Sequence, residues 1–404
     1  MKLDLNSSAS RTIGTILLAS TPLLLYHCGP RLLLIYKAHS GRRRLRYLAA
    51  SRQETATSNN DDDGSTNMTV KPTVSAIYIH PIKSLRPISL PSTTFDKHGL
   101  SSDRSLMIVR PNPPPIYGSF LEGEATHRFV TQRQCSKLAT IDVSPPIMMD
   151  GRKMIKLSCS HQDKTKAVYV DISPKAIESY PIRYTAGLWS DIVQVADVGD
   201  EAAMFVAEIA SMENGAVSSS FGDLRVVAIL ENTERRIDER YCPVEARVGW
   251  GGWVPQSGLT DGFPILVAAE SSLAELNKRL IEKNKKPIPM SRFRPNIVIS
   301  NTKPFEEDTW KAIQIGSGPN ATILHITKGC PRCKQSCTDQ LTGERSEEPL
   351  ETLADFRAHG EDVYFAQNAV LNGDCYDGSI CVGDEVRILT RGDPVWDLDA
   401  VRAE

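Results

Sequence analysis

"ITKGCPRCKQSCTDQLTGERSEEPLETLADFR", Ile326 to Arg357, is the stretch on which the reading of this chain turns. Three of the nine cysteines, Cys330, Cys333 and Cys337, fall within eight residues of it. The spacing alone leaves several chemistries open. A closed structural zinc site needs four thiolate or imidazole ligands, commonly two CxxC pairs. No second CxxC exists, so Cys375 or His325 would have to complete the set. An iron–sulfur cluster meets the same shortage. A thioredoxin-like pair should open a helix in a βαβ unit, whereas "PRCKQSCTDQLTG" runs into turn residues.

The rest of the chain narrows the choice. Its 404 residues suffice for one large domain or two ordinary ones. With 41% hydrophobic and 24% charged residues it is globular over most of its length. A formal net charge of −2 argues against a nucleic-acid binder, which is usually strongly basic. An odd total of nine cysteines, six of them scattered along a long chain, implies a reducing compartment, not a disulfide scaffold.

"TIGTILLASTPLLLY" (Thr12 to Tyr26) carries no charge, and extending it to Pro30 approaches the roughly 20 residues of a membrane span. Arg31, Lys37, Arg42, Arg43, Arg44 and Arg46 follow it. The positive-inside rule then predicts a signal anchor with the remaining chain in the cytosol. A mitochondrial presequence is the alternative, since Asp4 is the only acid before Glu54. Residues 1–52 are thus read as an anchor or targeting segment. Residues 53–70, polar and acidic, are read as a disordered linker.

The folded part divides into segments 71–215 and 224–395. "TVSAIYI", "SLMIVR", "LATIDVSP", "KMIKLSC", "AVYVDI" and "IVQVADV" in the first, and "LRVVAIL", "RPNIVIS", "ATILHIT" and "DEVRILT" in the second, read as strands. "GDEAAMFVAEIASM" predicts a helix with Ala203, Phe205, Val206 and Ile209 on one face. "ESSLAELNKRLIEKN" predicts another, capped by Ser271 and burying Leu273, Leu276 and Leu280. Strands outnumber helices, which gives an α+β, β-barrel-rich fold. No GxGxxG turn supports a Rossmann reading.

"IYIHPIKSL", "DR" at Asp103 and Arg104, "VTQRQ", "FPILVAAESSLAELNKRL", "RFRPNIVI", "EEDTW", "CPRC", "EPLETL" and "VGDEVRIL" occur in this order. Together they resemble the MOSC family of molybdenum-cofactor proteins, and among them the mitochondrial amidoxime-reducing components. The resemblance spans roughly residues 73 to 392 and implies a MOSC fold preceded by an N-terminal MOSC β-barrel-like domain. It implies the molybdenum cofactor (Mo-molybdopterin), with Cys333, second cysteine of CPRC, as the metal's protein ligand. A soft thiolate suits such a metal. Because the pterin dithiolene supplies further sulfurs, one thiolate suffices, and the missing zinc ligands cease to matter.

By the same resemblance Lys83, Ser84, Arg104, Arg294 and Asn296 line the cofactor site, where guanidinium forks and an ammonium suit a phosphate. Arg133 and Gln134 contact the pterin, and Arg332 either binds phosphate or faces solvent. Alternation places Arg294 and Asn296 on one side. Cys330 supports the loop, and Cys337 is a bystander where the family commonly has a hydroxyl. The acidic run Glu306, Glu307 and Asp308 reads as a solvated loop or the first turn of a helix. Asp261, Asp339 and Asp374 show no paired spacing, and His80 and His325 read as structural.

The resemblance implies reduction of small N-hydroxylated substrates: amidoximes, hydroxylamines or N-oxides. With no flavin or haem motif and no room for a C-terminal ferredoxin domain, electrons are expected from cytochrome b5 and NADH-cytochrome b5 reductase. The expected location is the mitochondrial outer membrane, facing the cytosol. The rival is a non-catalytic cofactor carrier or sulfur-relay protein. Pyridoxal-phosphate binding is not expected, because only about seventy residues precede the MOSC part, too few for a desulfurase domain. A zinc-stabilised binding protein is the third reading. The loop "PNPPPIYGSFLEGEATH" and the Gly- and Trp-rich "ARVGWGGWVPQSGLTDG" depart from the family and bear on substrate access.

Overall fold

In the computed structural model, residues 70–113, 124–159, 167–212, 222–247, 254–318, 321–373, 376 and 378–397 are described. The expected anchor and linker, most of the proline-rich stretch and Cys375 lie outside them. Among the described residues no helix is long and apolar enough to cross a membrane.

Two sheet systems carry the structure. Strands Leu106–Pro111, His127–Val130, Arg183–Leu188, Asp191–Asp197 and Arg225–Ile229 close a barrel. A parallel pairing of Ala186 with His127 completes the ring. Strands Leu106–Pro111 and Arg225–Ile229 are apolar at successive positions because both faces are covered. Met107, Val109, Val227 and Ile229 join one core with Val193 and Val195. Leu106, Ile108, Val226 and Ala228 join another, beneath helix Asp200–Ala210. That helix buries Ala203, Phe205, Val206 and Ile209, the face expected from spacing, and places Asp200 and Glu201 at its positive end.

The larger sheet runs Ile88–Leu90, Thr73–Ile79, Ile297–Ser300, Ile265–Ala269, Asp362–Leu371, Thr322–Pro331, Trp310–Ile315 and Val386–Arg391. Only Ile265–Ala269 and Ile297–Ser300 pair in parallel, and helix Glu270–Glu282 supplies the crossover that parallel neighbours require. The helix buries Leu276 and Leu280, with Leu273 partly covered. Strand residues alternate here too: Ile265 and Val267 pack on one side, Leu266 and Ala268 on the other. The strand-rich α+β class is therefore observed.

The sheets do not respect the sequence division. Thr73–Ile79 belongs to the large sheet, and Arg225–Ile229 to the barrel. The link between Ile79 and Arg86 is buried, because it passes from one sheet system to the other.

Three local expectations are corrected. "LATIDVSP" begins inside a 3-10 turn, Ser136–Thr140, and keeps only the short strand Asp142–Val143. Thr140 donates its hydroxyl back to the Lys137 carbonyl, competing with a ladder. Ser271 is not the helix cap, a position held by Ala269; its hydroxyl bonds Thr302 instead.

The third correction concerns the acidic run, which forms the 3-10 turn Glu306–Thr309 but is not solvated. Glu307 is fully buried, and Asp308 is nearly so. Burial raises the Glu307 carboxyl to about 7, despite the hydrogen bond it accepts from Ser272 (2.8 Å). The folded chain thus holds this proton more tightly than the unfolded chain does. The Glu307 contribution to stability should fall as pH rises from about 4.5 to about 7 and then level off. Glu307→Gln should remove that contribution, so that the difference between parent and variant changes by about 3 kcal/mol between pH 4 and pH 8. Urea unfolding across this range checks it, and an unchanged slope in the variant would refute the assignment.

Candidate functional site

Where the large sheet meets the barrel, a pocket enclosing about 770 Å³, mouth included, collects residues from five separate parts of the chain. Lys83 and Ser84 come from the buried link and Arg104 from the turn before Leu106. Arg294 and Asn296 precede Ile297–Ser300, Asp261 precedes Ile265–Ala269, and Cys333 follows Thr322–Pro331. Ser84, Arg104 and Arg294 have left-handed backbones, φ 72°, 43° and 56°. A residue bearing a Cβ is held there only when surrounding contacts determine it, and such positions cluster at functional sites.

Those contacts are visible for each. Lys83 donates through Nζ to Asp261 Oδ1 (2.5 Å) and the Leu259 carbonyl (3.0 Å), leaving one N–H for another acceptor. Burial brings its ammonium down to about 8, opposed by the Asp261 charge. Asp261 keeps 65% of its side chain open at the mouth, although protein surrounds that concave opening. Desolvation there favours the neutral acid, but Lys83 and the Trp189 indole N–H (3.0 Å) hold its carboxyl below the usual range.

Arg104 donates through Nη1 to Asp103 (2.5 Å) and Asn296 Oδ1 (3.1 Å), and through Nη2 to the Arg294 carbonyl (3.2 Å). Burial alone would raise Asp103, yet Arg104 and His80 bring it to about 2. His80 is buried against Asp103 and held well below its usual value by burial and by Arg104 and Arg294. The structural reading of His80 thus fits its packing. Asn296 is engaged at both ends of its amide: Oδ1 also accepts from Leu266 N–H (3.1 Å), and Nδ2 donates to Tyr78 (3.2 Å).

Arg294 is 7% exposed, and burial with the neighbouring Arg104 charge presses it down to about 9. It donates to the Leu85 carbonyl (2.7 Å) and to Gln340 Oε1 (3.2 Å). Gln340 and Gln132 exchange amide bonds (3.0 and 2.9 Å), and Gln132 also donates to the Ser84 carbonyl (2.8 Å). This buried glutamine pair connects the backbone of Ser84 with the side chain of Arg294.

Cys333 lines the pocket with an exposed thiol, while Cys337 is buried and Cys330 half-buried. Burial raises both the Cys330 and the Cys337 thiol above the usual range. Among the described residues no three His, Cys, Asp or Glu side chains converge to hold a metal. His325 instead bonds Asn372 (2.9 Å).

Gln134 and Arg133 are not among the residues that line the pocket. Gln134 is exposed and closes its own turn, accepting from Thr131 N–H (2.9 Å) and the Thr131 hydroxyl (2.6 Å). Arg133 stacks on Trp189, 4.3 Å from the ring centroid, and is not among the lining residues. Arg332 lines the pocket, but it donates to the carbonyls of Phe365 (2.8 and 2.6 Å) and Phe293 (3.0 Å), bracing its loop.

Arg292, Asp261 and the glutamine pair are additions. Arg292 stands two residues before Arg294, the same step that joins Arg294 to Asn296, so "RFRPN" contained a signal for it. Arg235 is another: it donates to Gly258, Thr260 and Asp261 carbonyls (2.9, 2.8 and 2.9 Å), shaping the loop that carries Asp261.

The donor set suits an anionic, hydrogen-bonding ligand such as a phosphorylated pterin. Lys83, Arg104, Arg292, Arg294 and Arg332 supply five cations to the lining, against the single acid Asp261. Ser84 Oγ and Arg292 Nε and Nη1 are buried without a protein partner. Buried polar atoms without partners are costly, and a bound polar group or water satisfies them.

Residues 71–213 match the MOSC N-terminal beta barrel domain, and residues 255–387 match the MOSC domain. The chain is a MOSC-domain protein. Among curated proteins it is similar to mitochondrial amidoxime reducing component 2 of Bos taurus, 28% identical over 324 residues, covering 78% of this chain and 82% of that one. Mitochondrial amidoxime-reducing component 1 of Homo sapiens is 37% identical over 143 residues, 33% of this chain and 39% of its own length. The molybdenum cofactor sulfurase of Aspergillus terreus is 35% identical over 141 residues, 32% of this chain, which spans only 17% of the sulfurase.

Proposed function

We propose that this chain binds the molybdenum cofactor and reduces N-hydroxylated substrates such as amidoximes, hydroxylamines and N-oxides. The observation that carries this reading is the pocket with five cations, one acid and one exposed thiol. Similarity to the amidoxime-reducing components over 78% of the chain supports it.

In this reading Lys83, Arg104, Arg292 and Arg294 hold the anionic end of the cofactor. Ser84 adds a hydroxyl, Asn296 accepts a hydrogen bond from Arg104 and so anchors it, and Cys333 ligates the metal. When bound, the cofactor supplies a two-electron centre able to take an oxygen atom from an N–O bond. The overall balance is N–OH plus two electrons and two protons giving N–H and water. Cytochrome b5 and its NADH-dependent reductase are the proposed electron source. The apolar segment before Arg31 is the proposed attachment to the mitochondrial outer membrane, facing the cytosol. The similarity to the sulfurase favours a second reading, a cofactor carrier.

The test is molybdenum and pterin analysis of the purified full chain, with NADH-driven benzamidoxime reduction in the presence of both electron proteins. Near-stoichiometric molybdenum with turnover is expected. Molybdenum and pterin without turnover would transfer the assignment to the carrier. Bound zinc without pterin would overturn both.

A further inference from the structure

The strand that delivers Cys333 is held from behind by a segment beyond the matched MOSC region, which ends at residue 387. Strand Thr322–Pro331 slips register twice against Asp362–Leu371, between Ile326 and Lys328 and between Gly329 and Pro331. Such bulges bend a strand and re-aim the residues beyond them. Here they occur just before Cys330 to Cys333 leave the sheet for the pocket.

At the second slip Gly329 donates its N–H to the Val395 carbonyl (2.8 Å). Trp396 lies so close that a Cβ on Gly329 would stand 2.6 Å from two atoms of the indole. That indole stacks on His359 (centroids 4.0 Å apart, 14°) and tilts against Tyr364 (4.9 Å). Asp397 makes three contacts. Its N–H donates to the Tyr364 hydroxyl (3.1 Å), one oxygen accepts from the Tyr241 hydroxyl (2.7 Å), and the other pairs with Lys328. Lys328 is only 9% exposed and two residues from Cys330. A cation so placed needs its acid.

We propose that Val395–Asp397 is a strap that fixes the direction in which strand Thr322–Pro331 presents Cys333, with Trp396 and Asp397 as positioning residues. The functional importance of that direction rests on Cys333 being the metal ligand. The contacts themselves do not.

The exposed thiol of Cys381, on strand Ser379–Cys381, provides an internal reference. In the full chain prepared without molybdenum, alkylation of Cys333 and Cys381 is followed by mass spectrometry for the parent, Trp396→Ala and Asp397→Asn. Redirecting the loop should change the Cys333 rate, in either direction, about five-fold or more in Trp396→Ala, and less in Asp397→Asn, with Cys381 unchanged. Gly329→Ala should mimic Trp396→Ala by displacing the indole, and adding it to Trp396→Ala should change little, because the contact is already gone.

An unchanged Cys333 to Cys381 ratio, or both rates rising together through general loosening, would overturn the strap. The isosteric Asp397→Asn keeps the test open should Trp396→Ala not fold. Retention of molybdenum by a Cys333 variant would instead refute the ligand assignment and leave the strap result standing.

Discussion

Cys333→Ser should yield a chain that melts with the parent yet carries little molybdenum and no reductase activity. Cys333 is exposed, its backbone is extended, and its side chain makes no capping bond to the turn Lys334–Cys337. Surface substitutions of this kind cost within about 0.5 kcal/mol. The hydroxyl, however, is a poor replacement for a soft thiolate. Losing a metal ligand should exceed the roughly 10–100-fold effect typical of residues that merely support one. Elemental analysis beside a thermal melt reads both quantities. Full molybdenum content in the serine variant would remove Cys333 from the assignment. Cys337→Ser should show the opposite pattern, because that thiol is buried: lost stability with the metal retained.

Arg357→Leu should be among the most destabilising single changes in the protein, at about 3–5 kcal/mol. Its guanidinium forks onto Asp308 (2.7 and 3.0 Å), with both side chains 8% exposed, and Nε donates to the Tyr364 carbonyl (3.1 Å). The ring of Phe305 lies 4.3 Å from the guanidinium. Removing the cation leaves Asp308 buried beside Glu307 with only Gln367 (2.6 Å) to satisfy it. Adding Asp308→Asn should recover much of the loss, since the uncompensated charge, not the missing contact, is the larger cost. Denaturant unfolding of the single and double variants checks this. A loss below about 1 kcal/mol would mean that the pair behaves like an exposed one.

Helix faces and strands were largely legible in the sequence because they depend on local periodicity. The helix over "GDEAAMFVAEIASM" and the alternation in "LMIV" needed nothing from elsewhere. That Lys83, Ser84, Arg104, Arg294, Asn296, Arg332 and Cys333 would share one pocket was legible for a different reason: their motifs follow one another in a known order. What the sequence hid lies where neither aid reaches. In "VTQRQ" the chain turns, so alternation fails, and Gln132 faces inward while Arg133 and Gln134 do not. The partner that explains Gln132 is Gln340, which is 208 residues away. The acid in "LTDG" has the same difficulty, since its partner Lys83 lies 178 residues earlier. Glu307 and Asp308 looked solvated because acids usually are. Only the fold supplies Ser272 and Arg357.

The exchange of strands between the two sheet systems makes the chain interlaced. Cutting it between residues 215 and 224 would strip the barrel of Arg225–Ile229 and leave the large sheet without Thr73–Ile79, whose Ile77 registers with Ile297. Neither half is then a natural unit of expression or exchange. The same weave sets a schedule for synthesis. Arg104 leaves the ribosome early, but its acceptors on Arg294 and Asn296 come 190 and 192 residues later. Until then the early cations have no frame to hold them. A ligand that needs the whole set can be captured only after translation has brought the distant pieces together.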